Sequence, residues 1–251
     1  MRIRYLVAAL AAVLATVTYF TLQSSGWILV AVTDSIFAVG SGTCSLLAFL
    51  VCRQWGFRGK MGIVNSGLFL GVFLWFLSDI SYVICEAVLR VPVLFPSIGN
   101  GLELVSYVPI ALGLAQFLWV FREGFRRVWT LTALGIGVLA LCLGLVVLVG
   151  PLIASAANPL DVAFYLVYPV LDLILLVLAL LMVFAFAGGK MTWPWVWISF
   201  GLILTVLADI SQGLGQLQGW YYSGNPIELI SLCAYICFAL GLGQERRPLF
   251  R

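Results

Sequence analysis

Long apolar runs, separated by short polar or basic stretches, follow one another along the whole chain. Eight of them are long enough to cross the hydrocarbon core of a bilayer, which takes roughly 20 residues of helix. They cover residues of about 5–23, 27–52, 60–90, 97–121, 129–153, 159–187, 193–219 and 226–243. The runs lack the period-two alternation of a membrane β-barrel. The pattern therefore predicts an all-α, polytopic membrane helix bundle of eight spans.

Composition and charge support this prediction and orient the chain. Hydrophobic residues make up 63% of the 251 residues and charged residues only 9%, whereas soluble domains carry roughly 25% charged residues. Of the 13 Lys and Arg residues, all except Arg90 fall in segments that share one side of the membrane if the spans alternate. The positive-inside rule then predicts a multi-pass protein of the cell membrane with both termini cytoplasmic. The alternative, a signal peptide over residues 1–15, would leave an odd number of spans.

The residue types present limit the chemistry. The chain has no His, and its six Cys residues show no C-x-x-C spacing, so His-ligated zinc, haem and iron sites are excluded. Lys60 and Lys190 both fall between spans, which argues against a Schiff base inside the bundle. No nucleophile accompanies the acidic residues. The sequence therefore predicts a protein that is not an enzyme, names no cofactor and leaves a metal ion open.

Two halves of the chain resemble one another. The string "GVFLWFLSDIS" at 71–81 aligns with "GLILTVLADIS" at 201–211, and "YVPIALGLAQ" at 107–116 aligns with "YICFALGLGQ" at 235–244. These matches predict two four-helix repeats, residues 1–127 and 128–251, within one membrane domain. Because each repeat has an even number of spans, the two would be parallel and related by an axis along the membrane normal.

Acidic residues inside the spans mark the candidate site. A carboxylate in a membrane helix costs roughly 2.5–3.5 kcal/mol on insertion scales, so these groups should face the bundle interior. Counted along the helices, eight of the ten acidic residues fall in the outer half or the middle of the membrane. With their polar neighbours they predict an outward-facing acidic and aromatic cavity. Its predicted ligand-binding residues are Asp34, Asp79, Tyr82, Glu103, Asp161, Tyr165, Tyr168, Asp172, Asp209, Gln212, Asn225 and Glu228.

A purely structural interpretation of several of these acids stays open. Asp34, Asp161, Glu103 and Glu228 lie near the starts of helices, where an anion is favoured by the helix dipole. Glu86 precedes Arg90 by four residues, a spacing at which the two would pair on a helix. Asp79, Asp172 and Asp209 are too deep to cap a helix, so the functional interpretation is stronger for them.

Three stretches resemble an eight-span sensor module found in archaeal and bacterial membranes, ahead of histidine kinase or diguanylate cyclase domains. They are "FPSIGNGLELVSYVPIALGL" (95–114), "NPLDVAFYLVYPVLDLILLVLALL" (158–181) and "LADISQGLGQLQGWYYSGNPIELISLCAYICFALGL" (207–242). The resemblance carries over to Asp161, Tyr168, Pro169, Asp172, Asp209, Tyr222, Gly224, Asn225 and Glu228. Asn100 and Glu228 stand where the family pattern has Asp, and no kinase or cyclase sequence follows Gly243. The resemblance implies a sensory role.

Four functional interpretations follow, in order of preference. The first is a sensory or ligand-binding subunit whose cavity takes a small cationic or amphipathic ligand, by charge pairing and cation–π contact, or reports external pH. A separate protein partner would read its basic cytoplasmic face. The second is a structural subunit of a larger membrane complex without a ligand, and the third a proton- or cation-coupled carrier. An enzyme comes last, and nothing indicates nucleic acid.

Overall fold

The computed structural model describes residues 2–93, 96–122, 127–154, 159–186 and 192–245, and their regular structure is entirely helical. The helices are α1 (Arg2–Thr21), α2 (Trp27–Trp55), α3 (Lys60–Tyr82), α4 (Ile98–Val120), α5 (Arg127–Ala154), α6 (Pro159–Phe186), α7 (Thr192–Gln218) and α8 (Leu229–Glu245). A π-helical segment (Val83–Val88) extends α3, and a 3₁₀ turn (Pro226–Glu228) precedes α8. The all-α prediction is confirmed, and the predicted boundaries lie within a few residues of these.

Seven helices in the described part of the chain are long and apolar enough to cross a membrane. They are α1, α2, α3 with its π-helical extension, α4, α6, α7, and α8 with its 3₁₀ turn. In α5 the apolar stretch found within the described residues is shorter, Thr130–Ala140. The chain is therefore a multi-pass membrane protein, as its composition predicts.

Glycines allow two helix pairs to pack with their backbones in contact. A Cβ added at Gly71 of α3 would lie 3.1 Å from the Ser106 carbonyl oxygen of α4. A Cβ at Gly201 of α7 would likewise lie 3.1 Å from the Ala234 carbonyl oxygen of α8. Small residues at helix interfaces are the usual means of close packing in membranes. Within the described residues, these two hairpins, α3–α4 and α7–α8, are the most extensively packed helix pairs.

Large aromatic side chains fill the core between the two hairpins. The rings of Phe117 and Trp195 lie 3.9 Å apart, centre to centre, and those of Trp75 and Phe238 lie 5.5 Å apart. All four side chains are buried. The core therefore holds α3, α4, α7 and α8 together, while the polar site described next occupies the half of the bundle nearer the end of α3.

The π-helical segment changes the surroundings of Glu86. In a π-helix the hydrogen bonds join residues i and i+5, so residues i and i+4 no longer lie one above the other on the same face of the helix. Arg90 instead has a φ of 55° and its guanidinium lies 3.9 Å from the centre of the Trp27 ring. Glu86 accepts a hydrogen bond from Ser223 at 3.3 Å and lines a cavity. The structure thus gives both residues partners other than the predicted Glu86–Arg90 pair.

Candidate functional site

Three adjoining cavities of about 70, 90 and 180 Å³ lie among α2, α3, α4, α6, α7 and α8. Glu103 and Gln212 line all three, so we treat them as one site, the acidic cavity. Each volume exceeds the roughly 10–15 Å³ that a water molecule needs. The lining carboxyls are Asp34, Asp79, Glu86, Glu103, Asp172, Asp209 and Glu228, and the lining tyrosines are Tyr82, Tyr107, Tyr168, Tyr221 and Tyr235. The described lining residues include no Lys or Arg.

A pair of buried aspartates shares one tyrosine. The Tyr107 hydroxyl of α4 lies 2.6 Å from an Asp172 oxygen on α6 and 2.9 Å from an Asp209 oxygen on α7. The two carboxyls also contact each other. A phenol has only one hydrogen to donate, and two ionised carboxylates repel when they share a site. The two carboxyls therefore lie close enough to share a proton.

Asp79 of α3 likewise accepts a hydrogen bond from a tyrosine, which lies on the α7–α8 hairpin. The Tyr235 hydroxyl of α8 donates to an Asp79 oxygen at 3.1 Å. The hydroxyl of Ser41 on α2 donates to the Phe37 carbonyl oxygen of its own helix, at 3.1 Å. Asp79 is only 7% exposed, so the Tyr235 hydroxyl replaces part of the water that a carboxylate would otherwise bind.

Glu103 connects the cavities. It accepts hydrogen bonds from the Ser78 hydroxyl at 3.0 Å and the Tyr168 hydroxyl at 3.2 Å. Tyr168 also lies 2.9 Å from the Asn100 carbonyl oxygen. Because Glu103 bonds to side chains of other helices and not to its own helix start, the capping interpretation does not describe it. Its side chain therefore lies where the three cavities adjoin.

Glu228 is surrounded by donors at the start of α8. Its oxygens accept from the hydroxyls of Tyr19 at 2.9 Å and Tyr221 at 2.7 Å, and from the Gly224 backbone N–H at 3.0 Å. The last bond is a capping contact, so the structural interpretation holds here in part. Burial and the Glu228 charge raise the pKa of Tyr221 well above its usual range, so this phenol stays a neutral donor.

Asp34 contacts Glu86 at the largest of the three cavities. One of its oxygens, Oδ2, is buried and has no hydrogen-bond partner among the described residues. Asp34 lies seven residues into α2, which begins at Trp27, so it is not in the first turn. Capping therefore does not explain Asp34.

The structure brings most of the predicted site residues together. Ten line the acidic cavity or neighbour it: Asp34, Asp79, Tyr82, Glu103, Tyr168, Asp172, Asp209, Gln212, Asn225 and Glu228. Asn225 serves as an N-cap, since its side chain accepts from the Ile227 N–H at 3.0 Å. The side chains of Asp161 and Tyr165 lie outside the part of the chain whose side chains the structure describes.

Sequence reasoning missed several tyrosines that hold the carboxyls. Tyr107 and Tyr235 donate to the deep aspartates, and Tyr19 and Tyr221 donate to Glu228. Tyr107 and Tyr235 begin the two repeated strings at 107–116 and 235–244, and this repetition was a signal for both. Tyr19 had no such signal, because its helix has no acidic residue and lies outside both repeated strings.

The donor set fits an organic cation better than a metal ion. Carboxylates supply negative charge and tyrosine rings supply cation–π faces, and within the described residues no group of three or more acidic, His or Cys side chains has metal-binding geometry. No protein family, curated protein or solved structure matches the chain in the comparisons made. The function must therefore be argued from the acidic cavity itself.

Proposed function

We propose that this protein is a membrane-embedded sensory or ligand-binding subunit whose acidic cavity binds an organic cation. The observation that carries the proposal is the lining of the cavity: it includes seven carboxyls and five tyrosines, and its described residues include no Lys or Arg. Such a site attracts positive charge and offers it desolvated carboxylates and ring faces. Buried carboxyls without basic partners are costly in a membrane, which favours a functional reason for keeping them.

The proposed setting is the cell membrane of an archaeon or bacterium, with eight spans and both termini in the cytoplasm. The distribution of Lys and Arg supports this orientation. At the end where α3 begins and α4 ends, Lys60 and Arg122 both lie over the Trp119 ring, at 5.3 and 5.4 Å from its centre. The acidic cavity would then open toward the outside.

Equivalent contacts support the proposed pair of parallel repeats. When 71–81 is aligned with 201–211, and 107–116 with 235–244, Asp79 corresponds to Asp209 and Tyr107 to Tyr235. Each tyrosine donates to the aspartate of the opposite half: Tyr107 to Asp209 and Tyr235 to Asp79. The close approaches at Gly71 and Gly201 also correspond. A ligand between the halves would thus touch matching groups from both.

The sensory role also draws on the resemblance to the eight-span sensor modules. We propose that binding changes how the two halves pack across the acidic cavity, and that a separate protein reads the basic cytoplasmic face. The Tyr107–Asp209 and Tyr235–Asp79 bonds each connect one half to the other. A cation that competes for either aspartate would weaken such a bond, which gives binding a route to the helix packing.

A proton- or cation-coupled carrier is the second candidate, favoured by the Asp172–Asp209 pair. Two carboxyls that hold one proton can release it when a cation arrives. A carrier would move a labelled amine across liposomes in response to a proton gradient, whereas a sensor would bind it without net movement. Flux that is abolished by Asp209→Asn would therefore favour the carrier.

Ligand-induced stabilisation of the purified protein tests the proposal. Benzylamine, hexylamine and tetramethylammonium are titrated in detergent, with benzyl alcohol and hexanol as neutral controls. A ligand at about 100 times its dissociation constant adds roughly 2.7 kcal/mol to the stability. We expect stabilisation by one or more of the cations and not by the alcohols.

Two matched variants locate the binding. Glu103→Gln removes the carboxylate shared by all three cavities, and we expect it to abolish the cation effect. Glu245→Gln removes another buried carboxylate, at the far end of α8, and should leave the effect unchanged. If no cation stabilises the wild type, or if both variants behave alike, the binding proposal is wrong and a structural subunit without a ligand becomes the better interpretation.

A further inference from the structure

An apolar groove of about 570 Å³ runs along the outside of the bundle between α1, α2 and α8. Most of its lining residues are Ala, Gly, Val, Leu and Ile. On α1 they extend from Ile3 to Ala15, and on α2 and α8 from Ile36 to Leu47 and from Leu232 to Gly243. This groove lies outside the acidic cavity and shares one described lining residue, Tyr235, with it.

The groove exists because α1 is tied to the bundle near its two ends. At one end the Arg4 guanidinium donates a hydrogen bond to the Gly243 carbonyl oxygen of α8. At the other end the Tyr19 hydroxyl donates to Glu228 at 2.9 Å. Between these ties, α1 presents small side chains such as Ala11 to the groove. Because α1 is held near both ends and no protein atoms fill the space beside its middle, the groove has room for an elongated apolar molecule.

One charged group lies at the end of the groove. Arg4 is the only charged residue among its described lining residues, and its side chain is exposed. A guanidinium has five N–H donors, so the bond to Gly243 leaves others for a second acceptor. Arginine pairs with phosphate through two parallel hydrogen bonds. The groove therefore combines an apolar wall with a site for an anionic phosphate.

The length of the groove matches one leaflet of a bilayer. From Arg4 to Ala15 an α-helix rises about 16 Å, which is close to half of a hydrocarbon core about 30 Å thick. We propose that the groove binds one acyl chain of an anionic phospholipid, with the lipid phosphate on Arg4. The chain would lie along α1 and replace the protein contacts that α1 lacks in its middle.

The bound acyl chain would also contact a side chain that lines the acidic cavity. Tyr235 lines both the groove and that cavity, and its hydroxyl donates to Asp79 at 3.1 Å. A Cβ added at Gly40, across the groove, would lie 3.1 Å from the Tyr235 ring. A lipid packed on this ring therefore supports the residue that holds Asp79.

Lipid titration of the purified, delipidated protein tests the proposal, with native mass spectrometry and thermal unfolding as readouts. The probes are phosphatidylglycerol, phosphatidylcholine and glycerol 3-phosphate. We expect one phosphatidylglycerol per chain, bound about tenfold more tightly than phosphatidylcholine, which is the ratio given by 1.4 kcal/mol. Glycerol 3-phosphate, which has the phosphate without the chains, should neither bind nor stabilise; equal binding of all three would overturn the proposal.

Four variants locate the lipid. Arg4→Gln should weaken phosphatidylglycerol binding about tenfold, whereas Lys60→Gln removes a basic residue over Trp119, away from the groove, and should not. Ala11→Phe fills the groove and should abolish lipid binding. Its control, Ala9→Phe, adds the same ring at an exposed position of α1 outside the groove lining and should leave lipid binding unchanged.

The outcomes separate cleanly. If Arg4→Gln binds lipid as well as Lys60→Gln does, the phosphate contact is wrong. If Ala11→Phe folds and still retains the lipid, the acyl chain lies elsewhere. Should Ala11→Phe fail to fold, Arg4→Gln and its control decide alone. Because cation binding by the acidic cavity is measured separately, its failure leaves this result unaffected.

Discussion

Replacement of Asp172 by Asn tests the two-carboxyl arrangement at Tyr107 directly. The Tyr107 hydroxyl lies 2.6 and 2.9 Å from the two carboxyl oxygens, so these oxygens are at most the sum, about 5.5 Å, apart. At that distance two full negative charges repel by about 3 kcal/mol at an effective dielectric constant of ~20. This repulsion favours a state in which one proton remains on Asp172 and Asp209 together.

Asn matches Asp in size, is neutral and carries an N–H₂ group that can donate to Asp209. We therefore expect Asp172→Asn to stay close to the wild type in free energy of unfolding. Asp172→Ala leaves the Tyr107 hydroxyl and Asp209 with one partner fewer, and should lose about 1–3 kcal/mol. The measurement is equilibrium unfolding by sodium dodecyl sulfate in mixed micelles, with both variants compared with the wild type at one pH.

Infrared spectroscopy supplies an independent readout, because a protonated carboxyl has a carbonyl band that a carboxylate lacks. We expect this band to decrease in Asp172→Asn, since the remaining Asp209 can ionise with two neutral donors beside it. The reasoning is refuted if Asp172→Asn is as unstable as Asp172→Ala and the band is unchanged. That result would mean that the acid group itself, and not a donated hydrogen, is required at this position.

Three further predictions concern stability in detergent. Gly71→Ala should lose about 1–3 kcal/mol through overpacking, whereas Gly101→Ala, where a Cβ meets nothing within 4 Å, should be neutral or gain up to about 1 kcal/mol; unfolding curves of the two variants decide. Tyr235→Phe keeps the ring but removes the donor to Asp79 and should cost about 1–3 kcal/mol, and an unchanged melting temperature would contradict that bond. The folded state raises the pKa of Tyr221, so this phenol ionises first in the unfolded state and the free energy of unfolding should fall above about pH 10. Tyr221→Phe should remove part of this fall, up to about 1.4 kcal/mol per pH unit. Unfolding measured from pH 9 to 12 checks this.

The helices could be predicted because the bilayer imposes one constraint on every span. Each must be apolar for roughly 20 residues and satisfy its backbone internally, so hydropathy alone located α2 at 27–52, and the structure has it at Trp27–Trp55. The π-helical segment Val83–Val88 could not be predicted in this way. Hydropathy does not distinguish one helix type from another, and the change in register is shown by backbone hydrogen bonds such as that from the Leu89 N–H to the Ile84 carbonyl oxygen, at 2.9 Å.

The acidic residues of the site could be predicted because a carboxylate in a membrane helix is costly in free energy. Their tyrosine partners could not be predicted in this way, because a tyrosine carries no such cost. Asp79 and Asp209 are easily recognised as polar exceptions in apolar helices, whereas Tyr19 is not recognised as an exception in its helix. Which tyrosine meets which acid depends on how the helices are rotated against one another. That rotation follows from contacts such as Gly71 against α4, which no hydropathy pattern records.

The proposed repeats differ at several positions of the site, and we expect the difference at Asp172 to give the two halves separate roles. Alignment of Asp34 with Asp161 places Ser45 where the second half has Asp172. In the first half Asp79 accepts a hydrogen bond from a neutral donor, the Tyr235 hydroxyl. In the second half Asp209 has the Asp172 carboxyl beside it. A cation drawn to Asp79 would meet one carboxyl held by a neutral donor, whereas a cation drawn to Asp209 would meet two carboxyls that are close enough to share a proton. We therefore expect Asp172→Ser, which makes the halves alike at this position, to retain cation binding and to lose the release of a proton into weakly buffered solution when the cation is added.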